Sequence, residues 1–164
     1  MKYLLIVLLV CSSGYIGKLF SDKYKKRVKI YSTLIKFAEF LKLNIYSLQE
    51  NIVIIFDKFI SQNQSIGNDF DKIKQIVINN KTSVYDFRKI KLFNELKSGE
   101  IEDVKDFFNL LGKNNLDLQI SLIDNYLHIF KLKLEECNID QKQKGNISYK
   151  LSLSLGVMIA IMVL

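Results

Sequence analysis

Proline and tryptophan are absent from this 164-residue chain, histidine occurs once and cysteine twice. Without proline nothing interrupts a long helix, and only seven glycines are present to weaken one. The two cysteines, Cys11 and Cys137, form neither a disulfide framework nor a metal-ligand spacing. Cys11 lies in an apolar run and Cys137 in the polar part of the chain, so no intrachain bridge is expected. The lone histidine, His128, stands between Leu127 and Ile129 with no cysteine, serine or carboxylate pattern around it. That marks a structural or surface residue, not a catalytic one. No GxxxxGK run is present, so a phosphate loop is excluded. Aromatic residues make up 12 % of the chain but fall at helical core spacing, without the basic interleaving of a nucleic-acid platform. Glu100, Glu102, Asp103 and Asp106 crowd a helix start, where carboxylates offset the helix dipole. No catalytic, cofactor-binding or metal-binding residue is assigned, no cofactor is expected, and an enzyme is the weakest reading.

What is present is apolar sequence at both ends. Residues 3–17, YLLIVLLVCSSGYIG, contain no charge over fifteen positions. A spanning helix needs roughly 20 residues, and snorkelling of Lys2 and Lys18, with Leu19 and Phe20 at the interface, makes up the difference. The sequence LLVC resembles a lipid-attachment box, but Val10 stands where that box has a small residue. Cys11 is therefore expected as an apolar residue within a helix. The chain ends on KLSLSLGVMIAIMVL, uncharged over the fourteen residues from Leu151.

The net charge of +7 is unevenly placed. Residues 18–31 carry six Lys or Arg against one Asp, and residues 140–164 carry three Lys against one Asp. Residues 32–139 hold 14 basic and 15 acidic groups, so the middle is no basic nucleic-acid binder. The excess lies beside the apolar ends, where it meets anionic lipid headgroups. By the positive-inside rule the N-terminus faces outward and the following domain is cytoplasmic. Lys142, Lys144 and Lys150 put the second segment's start on that same side. A cleaved leader has the reverse charge bias, so an anchor is expected in preference to a signal peptide.

Between the ends, helical periodicity dominates. Val28, Tyr31, Leu34, Ile35, Phe37, Ala38 and Leu41 form one face of a helix over 24–43, continuous with the anchor or close behind it. SLQE at 47–50 reads as a capping box opening a helix to about Ile60, with Leu48, Ile52, Ile55, Phe56 and Phe59 inward. Residues 61–68 read as a polar turn, followed by a helix carrying Phe70, Ile73 and Val77. Thr82 or Ser83 opens a helix with Phe87, Ile90, Phe93 and Leu96 inward. Ser98 caps a segment from Ile101, with Val104, Phe107, Phe108 and Leu111 inward. Gly112 provides a C-cap, and Lys113, Asn114 and Asn115 continue the turn. The longest helix runs from about Leu116 to Lys142, with Leu118, Leu122, Tyr126, Ile129 and Leu132 on one face, and Gly145 and Asn146 bend or end it. The expected fold is all-α: a compact bundle of about five to six helices flanked by N- and C-terminal membrane segments. The segments are 1–20, an N-terminal transmembrane anchor, 21–145, a cytoplasmic helical bundle, and 146–164, a C-terminal transmembrane segment.

The whole pattern resembles the stage III sporulation protein AB family of endospore-forming bacteria. The likeness runs from the apolar start through Arg27, Leu41, Ile45, Tyr46, Leu48 and Ile52. Its best local stretch is FFNLLGKNNLDLQ, 107–119, with Leu111, Gly112, Asp117 and Gln119. The terminal stretch adds Lys150, Leu151, Leu155 and Gly156. The chain departs from the family at Asn44, Ser47 and Ala160. The resemblance implies a soluble domain like the cytoplasmic helical domain of type II secretion and type IV pilus platform proteins. It implies a place in the mother cell at the outer forespore membrane. It also implies a non-enzymatic scaffold coupling an ATPase, stage III sporulation protein AA, to membrane channel components. Expected partners are that ATPase, other membrane components of the apparatus and membrane lipids, with no nucleic acid. The alternatives are a generic membrane-anchored adaptor of a secretion or pilus-like system, and an exported helical binding protein.

Overall fold

The computed structural model describes the backbone of residues 2–48, 50–79, 83–111 and 116–163, and the side chains of these residues apart from 2–10, 116 and 163. The fold is all-α, with no strand among the described residues. In chain order it has α1 (Lys2–Leu48), α2 (Ile52–Gln62), α3 (Gln64–Ile78), α4 (Val84–Arg88), a 3₁₀ turn (Lys91–Phe93), α5 (Ser98–Leu110), α6 (Leu116–Asp140), a π turn (Gln141–Gly145) and α7 (Asn146–Val163). Two compact units divide these elements. One comprises 30–132; the other comprises 1–29 and 133–164.

The 30–132 unit is a bundle built around α1. Ile30, Leu34, Phe37, Leu41 and Ile45 form one buried row, and Tyr31, Ile35 and Ala38 a second beside it. Two adjacent rows make a helix buried over a broad arc, as a central helix must be. Phe37 lies at its middle, fully buried, with ring centroids 4.9 Å from Phe56, 5.0 Å from Phe59 and 5.0 Å from Phe70. Phe108 is 5.7 Å from it, and Phe87 is 5.7 Å from Phe108 in turn. Each buried ring contributes about 1.5–3 kcal/mol of transfer free energy, so phenylalanine supplies much of this core.

The joint between α1 and α2 differs from the expected capping box. Ser47 lies in the last turn of α1, which runs to Leu48, and the cap is Asn51. Its side-chain oxygen accepts the Val53 N–H at 3.0 Å. Glu50 pairs with Lys58 instead of reaching back to residue 47. Leu48 is 59 % exposed and does not join the core. The polar turn expected over 61–68 shrinks to Asn63, whose side chain donates to the Phe59 carbonyl at 2.9 Å. Gly67 sits within α3, where a Cβ would stand 3.3 Å from Ile60 Cγ2, so glycine lets α2 and α3 approach. Lys74 of α3 joins them with an ion pair to Asp57 at 2.7 Å.

Ser83 caps α4, accepting the Asp86 N–H at 3.2 Å; Thr82 lies outside the described residues. The single helix expected from there breaks after Arg88. Phe87, Ile90, Phe93 and Leu96 recur every three residues, and on an α-helix each such step turns about 60° away from the last. They share a face only in 3₁₀ geometry, where residues three apart eclipse. The backbone follows that spacing: Ile90 N–H donates to the Phe87 carbonyl, Phe93 to Ile90 and Leu96 to Phe93, at 3.1, 3.0 and 3.0 Å. All four side chains are buried. Helix α5 then begins at Ser98 rather than being capped by it, with Glu100 accepting the Lys97 N–H at 2.8 Å. Val104, Phe107, Phe108 and Leu111 are buried as their spacing predicts. The turn expected at Gly112, Lys113, Asn114 and Asn115 lies outside the described residues.

The buried face of α6 is displaced by about one residue from the expected one. Leu118 and Leu132 are 50 % and 51 % exposed, while Gln119, Ile123, Leu127 and Phe130 are buried. Both rows have helical spacing. Phe130 is fully buried, 5.3 Å from Phe107 and 6.3 Å from Tyr31, while Tyr126 of the expected row reaches Phe107 at 5.4 Å from the edge of the buried face.

Candidate functional site: a helix pair closed on small residues

The other unit brings residues 1–29 and 133–164 together. Its contacts run in opposite directions along the two helical segments of the pair. Arg27 meets Asp140, Tyr24 and Ser21 meet Gly145, Gly17 meets Tyr149 and Ser152, and Gly14 meets Leu153. As the first number falls the second rises, so α1 and α7 are antiparallel here.

Small residues set the separation. Ser13, Gly17 and Ser21 recur every four residues on α1, and Ser152, Gly156 and Ala160 do so on α7. Gly17, Ser21, Gly145, Gly156 and Ala160 are buried. A Cβ on Gly17 would lie 2.8 Å from Ser152 Cβ and 3.2 Å from Tyr149 Cα, so only glycine permits this approach. The Ser13 hydroxyl donates to the Ser152 carbonyl across the contact. Such small-residue rows let helix backbones meet where lipid offers no hydrophobic drive for association. A shallow groove of about 260 Å³ runs beside the contact, lined by Ser12, Ile16, Leu155 and Ile159 among others.

Away from the charged end, much of the pair's exposed surface is apolar. Tyr15, Ile16, Leu19 and Phe20 on α1 are exposed, as are Leu151, Leu155, Val157, Met158, Ile161 and Met162 on α7. Among the described residues one continuous helical stretch, Asp117–Met162, is long and apolar enough to cross a membrane, with a window of mean hydropathy 1.3. The side chains of residues 2–10, where the expected anchor has most of its apolar sequence, lie outside those described. The π turn at Gln141–Gly145 joins α6 to α7. It occupies the place where a bend or stop was expected at Gly145 and Asn146.

Charge closes one end of the pair. Arg27 is 8 % exposed and lies 3.6 Å from Asp140, whose other oxygen holds Lys144 at 2.6 Å. Hydrogen bonding to the Asp140 carboxylate raises Lys144 above its ordinary 10.5. The sequence does not show this cluster, because Arg27 lies more than a hundred positions from Asp140 and Lys144 and only the antiparallel pairing joins them.

The residues considered for chemistry occupy ordinary positions. His128 is exposed on α6. Glu100 is spent on a backbone N–H, and Asp106 lies 3.1 Å and Glu102 3.8 Å from Lys105. Burial, with Asp106 and Asp103 nearby, pushes the Tyr126 phenol above its ordinary 10.0. Cys11 is exposed and Cys137 is buried. Among the described residues no group of three or more His, Cys, Asp or Glu is placed to hold a metal ion. A second depression, about 320 Å³, is lined by Arg88, Asn94, Lys97 and Ser98 among others, and the Arg88 guanidinium donates to the Ser98 hydroxyl across it.

No curated protein and no solved structure matches the chain. A family model described as stage III sporulation protein AB matches residues 2–164. The all-α fold, the paired apolar ends and that match along the whole chain agree: the chain belongs to the stage III sporulation protein AB family.

Proposed function

We propose that the chain is a non-enzymatic, membrane-anchored scaffold of the sporulation channel apparatus. Residues 1–20 and 146–164 cross the bilayer as an antiparallel pair, and 21–145 form a cytoplasmic domain in the mother cell, at the outer forespore membrane. The scaffold couples the stage III sporulation ATPase, protein AA, to the membrane components of the channel.

The observation that carries the membrane part is the Gly17–Ser152 contact, flanked by exposed apolar side chains on both helices. Membership of a sporulation family supports the setting. Antiparallel pairing supports a topology with both ends on one side and the bundle on the other, in agreement with the positive-inside rule. Most of the bundle's phenylalanines are buried in its core, while Tyr46, Tyr85 and its surface charges stand exposed for partners.

Affinity capture of the full chain from membranes of sporulating cells tests the coupling. Recovery of the ATPase, lost when surface charges of the bundle are reversed without loss of helical content, supports it. Capture of channel membrane components with the ATPase repeatedly absent counts against the coupling. Association with a pilus or secretion motor in its place favours the generic adaptor.

A further inference from the structure

The base of the helix pair holds a concentration of positive charge that its internal contacts do not use up. Residues 18–29 carry six Lys or Arg against one Asp, and residues 140–150 carry three Lys against one Asp. The two excesses together equal the +7 of the entire chain. Packing brings them to the same level, because Ser21 and Tyr24 face Gly145 and Arg27 meets Asp140.

Some of these cations are engaged within the unit. Arg27 and Lys144 share Asp140, and Lys25 pairs with Asp22 at 3.3 Å. Lys18, Lys23, Lys29, Lys142 and Lys150 are exposed on the two helices. Lys18 and Lys150 adjoin the apolar surface directly, since Leu19 and Phe20 follow Lys18 and Leu151 follows Lys150, all exposed, and Lys23, Lys29 and Lys142 continue the charge away from it along the same two segments. A ligand for this surface needs an anionic group at the level of the ammonium groups and an apolar body beside it. Lysine suits that boundary, since its stem lies along apolar surface while its charge stays in the polar layer.

We propose that these lysines form a collar that binds anionic phospholipid headgroups, selecting anionic over zwitterionic lipid around the helix pair. The proposal rests on the membrane reading above and adds a lipid class to it. A nucleic acid or a soluble acidic peptide would satisfy the ammonium groups but leave Leu19, Phe20 and Leu151 against water. A phospholipid satisfies both. Each cation near an anionic surface adds to the attraction, and the attraction falls within a Debye length.

The test uses the full chain in mixed micelles containing equal phosphatidylglycerol and phosphatidylcholine, with retained lipid read by native mass spectrometry. The wild type is expected to retain phosphatidylglycerol in preference by roughly tenfold. Replacing Lys23, Lys29, Lys142 and Lys150 together by Gln removes that preference, and replacing them by Arg keeps it. Raising salt lowers it in the wild type, a readout that needs no variant. Inorganic phosphate at the headgroup concentration leaves retention unchanged. Equal retention of the two lipids by the wild type overturns the collar, as does an undiminished preference in the Gln variant or displacement by inorganic phosphate. Carbonate extraction of cell membranes separates the two readings. A chain that resists extraction yet shows no lipid preference overturns the collar alone, whereas a chain released by carbonate overturns the membrane reading and the collar with it.

Discussion

Gly17 and Ser152 face each other so closely that a methyl group on Gly17 would stand 2.8 Å from Ser152 Cβ. Neither atom can yield by rotating a side chain, so the helices themselves must part. Gly14 is different, because its added Cβ would meet Leu153 Cδ1 at an ordinary 3.6 Å. Gly17→Ala is therefore expected to weaken the helix pair by about 1–3 kcal/mol, the usual range for overpacking. Gly14→Ala is expected to be neutral or slightly stabilising, since alanine gains up to about 1 kcal/mol of helix propensity. Cross-linking of cysteines placed across the contact, as detergent is titrated, distinguishes the two. Equal behaviour of the variants would show that glycine at 17 does not set the separation.

Arg27 and Asp140 tie the same two segments from the charged end. Arg27 is largely buried, so removing Asp140 leaves a cation with poor access to water. The separation of 3.6 Å and the sharing of Asp140 with Lys144 keep the effect below that of a fully enclosed pair. Asp140→Ala and Arg27→Ala are each expected to cost about 1–2 kcal/mol, with a coupling near 1 kcal/mol in the double-mutant cycle. Additive losses would mean that the two side chains act independently.

The two levels of structure differed in how far the sequence exposed them. Rows such as Tyr31, Leu34, Phe37, Ala38 and Leu41 were legible because their spacing fits only a helix buried on one side. Phe87, Ile90, Phe93 and Leu96 were legible as core but not as 3₁₀, since a three-residue step also occurs in α-helices. The face of α6 is ambiguous in sequence because two apolar rows overlap, and the choice depends on residues of other helices, among them Phe107 and Tyr31 around the buried Phe130. Ser47 and Glu50 match the capping pattern in sequence, but α1 runs on to Leu48, so the cap falls to Asn51. The contact at Gly17 was beyond sequence reading. A glycine in an apolar run acquires meaning only from its partner, and Ser152 lies at the opposite end of the chain.

Lys74 carries a pH signature. Its hydrogen bond to Asp57 raises its pKa above 10.5, against an opposing effect of desolvation, with the charge of Asp57 and of Asp71 adding to the rise. A lysine raised on folding contributes stability in full below its unfolded value, and that contribution is lost as pH climbs through the folded value. Lys74→Met is therefore expected to lower Tm by a constant amount from neutral pH to the approach of 10.5. The gap from wild type then narrows as alkali removes the same charge from the native protein. A gap that stays constant through alkaline pH would show that methionine acts by packing alone.

The position of the α6 face can be decided with two alanine substitutions of similar size. Ile123 is 1 % exposed and Leu118 is 50 % exposed, although both sit at helical spacing with other apolar residues. Truncating a buried isoleucine removes transfer free energy and leaves a cavity, so Ile123→Ala is expected to cost about 2–5 kcal/mol. Leu118→Ala loses only half-exposed surface and gains helix propensity, so it is expected to stay within about 0.5 kcal/mol of wild type. Thermal unfolding of both variants in one detergent supplies the comparison. A larger loss at Leu118 would restore the face drawn from periodicity and would remove Phe130 from the core. The packing of Phe130 against Phe107 and Tyr31 requires the opposite order.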